Sequence, residues 1–307
     1  MKKIPVILDV DTGLDDALAI LLASYSKKLN LIAIMAVNGN ASIENTYRNT
    51  CAIASYLKLQ IPIGKGCANA LYQSSVHAFD AHGSSGLGDI ELSNKDIQNQ
   101  PVLDAINLYV KLLSEATQAI TIIATGPLTN LATLLLNHPE LKPKIKQICF
   151  MGGSFSKGNI SPYAEFNVYC DPEACKIVLE SKVPLAMIPL DVTRVTTYKA
   201  SDLTLIQKGS NPTQVFYIHI LEYYLKSYHA RTGLKSTPLH DSSAVAYVCH
   251  PEWFTSGIEN VCVDVSNNKT RGQTHITRDV SLNVNVIQSA DKAQIVQMTI
   301  DSISWLG

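Results

Sequence analysis

The sequence predicts an α/β protein in which a Rossmann-like, mostly parallel sheet is flanked by helices. Two observations support this fold class. Short apolar, β-branched runs alternate with longer segments of helical periodicity, which is the order of elements in a βαβ chain. The strand-like runs are apolar throughout, as is typical of parallel strands covered on both faces. A hydrophobic fraction of 46% over 307 residues is sufficient for the core that such a sheet needs.

The strands are predicted where β-branched and other apolar residues follow one another without a break. The first of these runs ends at an aspartate-rich turn, and the later runs alternate with helical patterns. In such sheets ligands bind outside the carboxyl ends of the strands. The predicted strands span residues 5–10, 31–37, 61–63, 120–124, 148–151 and 185–190.

The helices are predicted in the gaps between these strands, where apolar residues recur three or four positions apart. Acidic residues open the first helix, where they meet the positive end of its dipole. Pro127 suits the first turn of a later one. The predicted helices span residues 15–26, 43–57, 102–116, 128–137, 172–181, 213–228 and 242–249.

The chain contains no repeat, low-complexity tract or Pro/Gly-rich linker that would divide it. We therefore expect residues 1–307 to form a single domain. Polar stretches near 68–100 and 191–235 are predicted to be loop excursions from it. Loops of this length are often functional.

Composition excludes several classes of partner. The net charge is −1 and no block of Lys and Arg occurs, which argues against nucleic-acid binding. No apolar run has the length of a membrane span or a signal-peptide core. The seven cysteines are scattered and never spaced as C-x-x-C, so we expect reduced thiols in a cytoplasmic protein and no zinc site. A small, weakly charged ligand is the expected partner.

The stretch LDVDTGLDDALAI, residues 8–20, concentrates negative charge at one strand-to-helix turn. A helix N-terminus accounts for one or two acidic residues. It does not account for Asp11 together with Asp15 and Asp16, because like charges this close repel unless a cation neutralises them. Oxygen ligands indicate a hard cation, and several carboxylates on one ion favour Ca²⁺ over Mg²⁺.

Two other functions compete with a calcium enzyme. Phosphatases of the haloacid dehalogenase type also carry D-x-D after their first strand, followed by Thr or Val where this chain has Gly13. The order of residues therefore argues against a phosphatase. A non-catalytic module that binds calcium or ribose is the second alternative, since a fold alone does not confer activity.

The motif D-x-D-T-G-L-D-D resembles the opening of the nucleoside hydrolases, specifically the inosine–uridine-preferring family. Further segments resemble that family in the same order. They are VNGN, AHGSSGLGD, TGPLTN at 125–130, MGGS at 151–154, GNISPYAEFNVYCDPEA at 158–174, PLHDSSAVAY at 238–247 and TRGQT at 270–274. The resemblance implies the nucleoside hydrolase fold and a Ca²⁺-dependent enzyme that cleaves ribonucleosides into ribose and free base.

The resemblance also implies a role for individual residues, which divide by the part of the substrate they serve. The implied calcium ligands are Asp11, Asp16, Asp241 and the carbonyl of Thr125, with Asp11 as general base. The implied sugar contacts are Asp15, Asn40 and Asn167 for the ribose hydroxyls, Asn159 and Glu165 for the 5′ hydroxyl, and Met151 and Phe166 for packing. His82 and His240 are implied on the base side, with His240 as a hypothetical acid for the leaving base.

The base side is the least determined part of the prediction. Tyr228 is predicted to cover the base, with the AHGSSGLGD loop as a second candidate lid. Pyrimidine ribonucleosides with some inosine activity are weakly favoured. Nucleosides are favoured over 5′-monophosphates, because Glu165 would repel a phosphate. Family resemblance further implies a homodimer or homotetramer.

Overall fold

The computed structural model describes residues 2–88, 90, 92, 101–278 and 283–307. Within them, a ten-stranded sheet has the order β11-β10-β12-β7-β6-β5-β1-β2-β3-β4, and β8 pairs with β9 in a separate two-stranded sheet. The strands are β1 Ile4–Val10, β2 Leu29–Ala36, β3 Ile63–Lys65, β4 Leu103–Asp104, β5 Ile120–Ala124, β6 Ile145–Met151, β7 Leu185–Ile188, β8 Thr197–Lys199, β9 Ser236–Pro238, β10 Phe254–Val263, β11 Thr274–Ile276 and β12 Asn283–Ala290.

Helices cover both faces of the large sheet. They are α1 Leu14–Tyr25, α2 Ile43–Tyr56, α3 Phe79–His82, α4 Ala105–Glu115, α5 Thr129–Asn137, α6 Phe166–Cys170, α7 Pro172–Leu179, α8 Leu190–Thr193, α9 Ala200–Leu203, α10 Pro212–Thr232, α11 His240–Cys249 and α12 Lys292–Ser304. In the part of the chain that the structure describes, 3-10 helices span Pro139–Lys144 and Pro251–Trp253.

The core consists of two apolar layers, one on each face of the sheet. Successive side chains of a strand point to opposite faces, and in β1 Leu8 packs into the layer formed with α1, α10, α11 and α12. Its neighbour Ile7 packs into the layer formed with α4, α5 and α7. A strand covered on both faces is apolar at nearly every position, with Asp9 of β1 as a hydrogen-bonded exception, and this explains the long apolar runs in the sequence.

The strand order reverses at β1. From β1 the chain moves outward through β2, β3 and β4, and then returns to place β5 on the other side of β1. β1 pairs in parallel with both β2 and β5. Loops that leave the carboxyl ends of β1 and β5 therefore diverge and open a crevice, which is where ligands bind in open α/β sheets.

The predicted fold class is confirmed, with corrections at several elements. The third strand was predicted at 61–63 and lies at Ile63–Lys65, and the strand predicted at 185–190 ends at Ile188 because α8 begins at Leu190. The pair β10 and β12 and the helix α12 were missed. β10 is antiparallel to both of its partners near the sheet edge and is largely accessible, so its sequence lacks a continuous apolar run.

The two predicted excursions differ in character. The region 191–235 holds the long helix α10, whose side chains Phe216, Tyr217 and Leu221 are buried in the core. Burial of each such side chain contributes roughly 1.5–3 kcal/mol. The region 68–100 contains α3, while residues 89, 91 and 93–100 lie outside the described residues. Among the described residues, no helix is long and apolar enough to cross a membrane.

Candidate active site

The site is built on the turn between β1 and α1. Asp11 follows β1, and Asp15 and Asp16 lie in the first turn of α1. Asp16 Oδ2 accepts a hydrogen bond from the backbone N–H of Gly13 at 2.9 Å, which satisfies a donor that the helix start leaves free. All three carboxylates are buried. The turn therefore aims three acids into the crevice at the carboxyl edge of the sheet.

A fourth acid completes the cluster from the other side. Asp241 lies in the first turn of α11, and ligand oxygens of Asp15, Asp16 and Asp241 lie within 4.8 Å of one another. Asp11 lies beside this triplet, because Asn40 donates from its backbone N–H to Asp11 and from its side-chain amide to Asp16. The close triplet thus contains Asp15, for which the sequence predicted only a sugar contact.

Two oxygens of this cluster have no protein partner. Asp11 Oδ1 and Asp15 Oδ1 are buried without a hydrogen bond. Burial first, and the charge of Asp16 second, raise the pKa of Asp11 well above its usual range and that of Asp15 to about 7. Burial and the charge of Asp15 likewise raise the pKa of Asp241. A hard cation among these oxygens would remove both the repulsion and the missing contacts, so the donor set fits Ca²⁺.

Two glycines, Gly39 and Gly126, pack closely against the side chain of Asp11. Asp11 Oδ2 accepts a hydrogen bond from the backbone N–H of Asn40 at 2.7 Å. A Cβ atom at Gly39 would lie 2.1 Å from the same Oδ2, and one at Gly126 would lie 2.9 Å from Oδ1. The side chain of Asp11 is therefore held in one orientation by contacts that leave no space for a methyl group.

Asn40 and Thr125 hold Asp16 in place. Asp16 accepts hydrogen bonds from Asn40 Nδ2 at 3.1 Å and from Thr125 Oγ1 at 2.7 Å. Asn167 Nδ2 donates to the Thr125 carbonyl at 2.7 Å and to the Met151 carbonyl at 3.2 Å. Because both acceptors are carbonyls, they fix the amide nitrogen of Asn167 and leave its Oδ1 for another donor.

The predicted 5′ side is organised around Glu165, which is buried. Its carboxylate accepts from the backbone N–H groups of Gly153 at 3.0 Å, Asn167 at 2.8 Å and Val168 at 3.0 Å, and it thereby caps α6. Asn159 is exposed, and its Oδ1 accepts from the N–H of Phe166 at 2.8 Å. These residues have a structural role that the sequence alone did not indicate.

Of the two base-side histidines, His82 is buried and His240 is half-buried. His82 Nδ1 accepts from the N–H of Leu14 at 3.1 Å, so the proton of its neutral ring lies on Nε2. His240 Nδ1 lies 2.7 Å from Thr193 Oγ1 at the end of α8. Burial, followed by nearby arginine charge, lowers the pKa of each ring to about 3. Both rings are therefore neutral near pH 7 and can act as hydrogen-bond donors.

Of the two tyrosines Tyr224 and Tyr228 on α10, Tyr224 is the one that reaches the acidic cluster. Its hydroxyl lies 3.5 Å from Asp15 Oδ2, and its ring centroid lies 6.1 Å from that of His82. Tyr228, which was predicted to cover the base, is half-buried and packs edge-to-face on Tyr224 with centroids 6.5 Å apart. Arg231 lies 5.5 Å over the Tyr228 ring. The four-residue spacing of the tyrosines indicated that they share a helix face. Which of them reaches the aspartates is decided by the packing of α10.

Asp9, the remaining aspartate of the opening stretch, belongs to a different network. Its carboxylate accepts from Tyr109 Oη at 2.8 Å and from Asn130 Nδ2 at 3.1 Å. Burial raises the pKa of Asp9 to about 7, while these two donors act in the opposite direction. The aspartates of the opening stretch therefore have two different roles. Asp9 is a structural carboxylate, and the others belong to a cluster with unpartnered oxygens.

Comparisons with known proteins agree on one family. The sequence model described as inosine-uridine preferring nucleoside hydrolase matches residues 6–297. The pyrimidine-specific ribonucleoside hydrolase RihA of Salmonella typhimurium is 38% identical over 274 residues, which cover 88% of each chain. Among solved structures, a plant nucleoside hydrolase superposes with a TM-score of 0.91 at 25% identity and 99% coverage of both chains. A purine-preferring ribonucleoside hydrolase from Gardnerella vaginalis superposes with a TM-score of 0.89 at 30% identity and 98% coverage of both chains.

Proposed function

Since the chain belongs to the inosine-uridine preferring nucleoside hydrolase family and is therefore an N-glycosyl hydrolase, we propose that it cleaves ribonucleosides into ribose and free base in a Ca²⁺-dependent reaction. The single observation that carries the calcium dependence is the buried acidic cluster with two unpartnered carboxylate oxygens. We further propose that the 307 residues act as one domain within a homodimer or homotetramer.

The proposed cation ligands are the carboxylates of Asp11, Asp16 and Asp241 and the carbonyl of Thr125, with Asp15 in the same cluster. Oxygen-only donors with several carboxylates favour Ca²⁺. When bound, the cation supplies positive charge that makes a neighbouring water more acidic. The Thr125 carbonyl already accepts one bond from Asn167 and retains a second lone pair for this role.

Asp11 is the proposed general base. One of its oxygens is held by the Asn40 N–H, whereas Oδ1 is free to accept a proton from the attacking water. A positioned base of this kind contributes roughly 10²- to 10⁴-fold to the rate. Cleavage of an N-glycosidic bond develops positive charge on the sugar, and the surrounding carboxylates favour that charge.

The sugar is proposed to lie between the cluster and α6. Asp15 Oδ1 and Asn167 Oδ1 can each accept a hydrogen bond from a ribose hydroxyl, because both lack a described hydrogen bond from the protein. Asn40 supports this position through Asp16. The remaining proposed sugar contacts are Met151 and Phe166, which pack, and Asn159 and Glu165, which face the 5′ hydroxyl.

His82 and His240 are proposed to serve the leaving base. His240, expected from the sequence as an acid, is proposed to stabilise the departing base by a hydrogen bond from its neutral imidazole N–H, because a ring with a pKa of about 3 carries no extra proton to transfer near pH 7. The contact between His240 Nδ1 and Thr193 Oγ1 orients the ring. Tyr224, with Tyr228 packed on it, adds an aromatic surface beside His82 against which a base can stack.

The proposed substrates are uridine and cytidine, with inosine also accepted. The similarity to a pyrimidine-specific relative supports the first two, and the similarity to a purine-preferring structure supports the third. A 5′-monophosphate is disfavoured because the Glu165 carboxylate lies on the 5′ side. The guanidinium of Arg194 near it already donates to the carbonyls of Lys157 and Gly158.

The test is release of reducing sugar from inosine, adenosine, guanosine, uridine, cytidine and their 5′-monophosphates. It is run with Ca²⁺ and again after exhaustive chelation. We expect activity on free nucleosides that chelation abolishes and Ca²⁺ restores. Undiminished activity after chelation would reject the calcium requirement, and equal turnover of uridine and its monophosphate would reject the proposed 5′ side.

A further inference from the structure

The segment TRGQT at 270–274 lies outside the acidic cluster, yet it contacts the segment that carries the sugar side at several points. Gly272 has φ of +81°, and a Cβ atom there would lie 3.0 Å from the Cα of Tyr169 at the end of α6. Thr274 Oγ1 accepts from the N–H of Ser154 and donates to its carbonyl, both at 2.9 Å. The segment therefore packs against both ends of residues 154–170, at Ser154 and at Tyr169.

Arg271 makes the most extensive of these contacts. Its Nη2 lies 2.7 and 2.8 Å from the two carboxylate oxygens of Glu173, its Nη1 donates to the Val265 carbonyl at 2.7 Å, and its Nε donates to Gln73 Oε1 at 3.0 Å. The side chains of Arg271 and Glu173 are only 14% and 19% exposed. A charged pair this sheltered is costly to break by removing one partner.

Gln73 links Arg271 to α6 by hydrogen bonds from its side-chain amide. Its Nε2 donates to the carbonyls of Tyr169 at 2.9 Å and Cys170 at 2.7 Å, which lie at the C-terminal end of α6. A helix end leaves such carbonyls without intrahelical partners. Arg271 holds the other end of the Gln73 amide, so its guanidinium fixes the orientation in which Gln73 caps the helix.

α6 needs such support because it has only five residues. Isolated helices much shorter than about 12 residues are unstable in water. Glu165 caps its N-terminal end, and the Arg271–Gln73 pair caps its C-terminal end. Between the two caps lie Phe166 and Asn167, both assigned to the sugar.

We propose that Arg271 is a positioning residue for the sugar side of the site, acting through Gln73 on α6. This inference rests on the proposed function, because it takes the residues of α6 to bind ribose. Arg271 itself touches neither the acidic cluster nor, on this proposal, the substrate. Its effect is to keep Asn167 and Phe166 where a ribose can meet them.

The kinetic test compares Arg271→Met with Lys28→Met in the full chain. Lys28 is a matched control, because its Nζ also contacts a carboxylate, Glu252 at 3.5 Å, and a carbonyl, Cys249 at 2.9 Å. Lys28 directly precedes β2, at the amino-terminal ends of the parallel strands, whereas the site lies at their carboxyl ends. We expect Arg271→Met to lower kcat/KM by about 10- to 100-fold, mainly through KM, and by the same factor for uridine and inosine. A purely structural role would lower Tm while leaving KM unchanged.

Further variants distinguish an effect of Arg271 that acts through Gln73 from a general loss of stability. Gln73→Leu leaves the pair of Arg271 and Glu173 intact, and we expect it to raise KM as Arg271→Met does. The double variant is expected to raise KM no further, because both changes interrupt one route. Arg271→Lys, which retains the charge but not the three-way contact, is expected to restore KM only in part. Fully additive effects on KM would overturn the route through Gln73.

Hydrogen exchange provides a test that needs no activity. In Arg271→Met, the backbone amides of residues 166–170 should exchange faster than in the wild type and in Lys28→Met. Unchanged exchange and unchanged KM would overturn the proposal, as would faster exchange with wild-type KM. If the wild type released no sugar from any nucleoside, the proposed function would fail, while the exchange measurement would still report on the support of α6.

Discussion

Asp9 and Asp11 lie two positions apart at the end of β1, and both are buried, yet their surroundings differ. Each oxygen of the Asp9 carboxylate accepts at least one hydrogen bond, from Tyr109 or Asn130. Asp11 has one oxygen bonded to Asn40 and one without a partner, beside three further acids. Burial alone therefore does not mark a functional carboxylate. The distinguishing feature is a buried oxygen for which the fold provides no donor.

The largest expected effect separates the two residues by activity. Asp11→Ala should reduce kcat by about 10²- to 10⁴-fold, because the proposed general base is lost. Asp11→Asn, which keeps an acceptor for the Asn40 N–H, should lose a comparable factor. Asp9→Ala should retain most of the kcat of the correctly folded enzyme. Sugar release from uridine under saturating Ca²⁺ measures all three, and a wild-type rate in Asp11→Ala would remove Asp11 from the mechanism.

A second effect concerns the leaving base. His240→Ala should lower kcat on inosine by up to about 10²-fold, since it removes the hydrogen-bond donor proposed to stabilise the leaving base. The matched variant Thr193→Val should cause a smaller loss, because it removes only the contact that orients the ring. Full activity of His240→Ala on inosine would contradict this role.

Stability should separate the Asp9 network from the acidic cluster in the opposite direction. Asp9→Ala leaves Tyr109 Oη and the Asn130 amide without their shared acceptor, at a cost of about 1–3 kcal/mol in the free energy of unfolding. Asp241→Asn in the absence of Ca²⁺ should raise Tm, because it removes one charge from a repelling cluster. Urea and thermal unfolding of chelated protein measure both, and a lower Tm for Asp241→Asn would contradict net repulsion.

Calcium should act on the cluster and not on the Asp9 network. At a concentration about 100 times Kd it should stabilise the wild type by about 2.7 kcal/mol, or roughly 4 °C in Tm for a chain of this size. Asp9→Ala should show the same increment, whereas Asp11→Ala should show a smaller one. Thermal scans at increasing Ca²⁺ test this, and an equal increment in Asp11→Ala would place the cation elsewhere.

The smallest effect is expected at Tyr224. Its hydroxyl lies 3.5 Å from Asp15 Oδ2, which is long for an O–H···O bond. Tyr224→Phe should therefore change kcat/KM by only a few-fold, whereas Tyr224→Ala should cost more through lost packing in the core. A loss in Tyr224→Phe as large as that in Asp11→Ala would mean that the hydroxyl takes part in the reaction.

The sequence predicted the central part of the fold because buried parallel strands are apolar at nearly every position. It could not predict β10 and β12, whose partly accessible residues lack that pattern. In the site, the acids of β1 and α1 were predictable because they adjoin one turn. The contact of Thr193 with His240 joins residues 47 positions apart and depends on how α8 packs, for which the sequence holds no local signal.

The same limit applies to Tyr224 and Tyr228. Their spacing predicted a shared helix face, but which of them reaches the aspartates depends on how α10 is rotated against α1 and α3. The role of Glu165 as a cap was also invisible, because its three N–H donors come from Gly153 and from residues of a helix too short to predict. Local pattern therefore located the acids, and tertiary packing decided their neighbours.

The two glycines that enclose Asp11 make this position unusually sensitive to size. A methyl group at Gly39 would have to displace the oxygen that accepts the Asn40 bond, and one at Gly126 would displace the oxygen that is free to act as base. Exchange of glycine for alanine, normally regarded as a mild substitution, would here be equivalent to moving a carboxylate. In a natural variant, either change would predict an inactive enzyme even though every acidic residue had been retained.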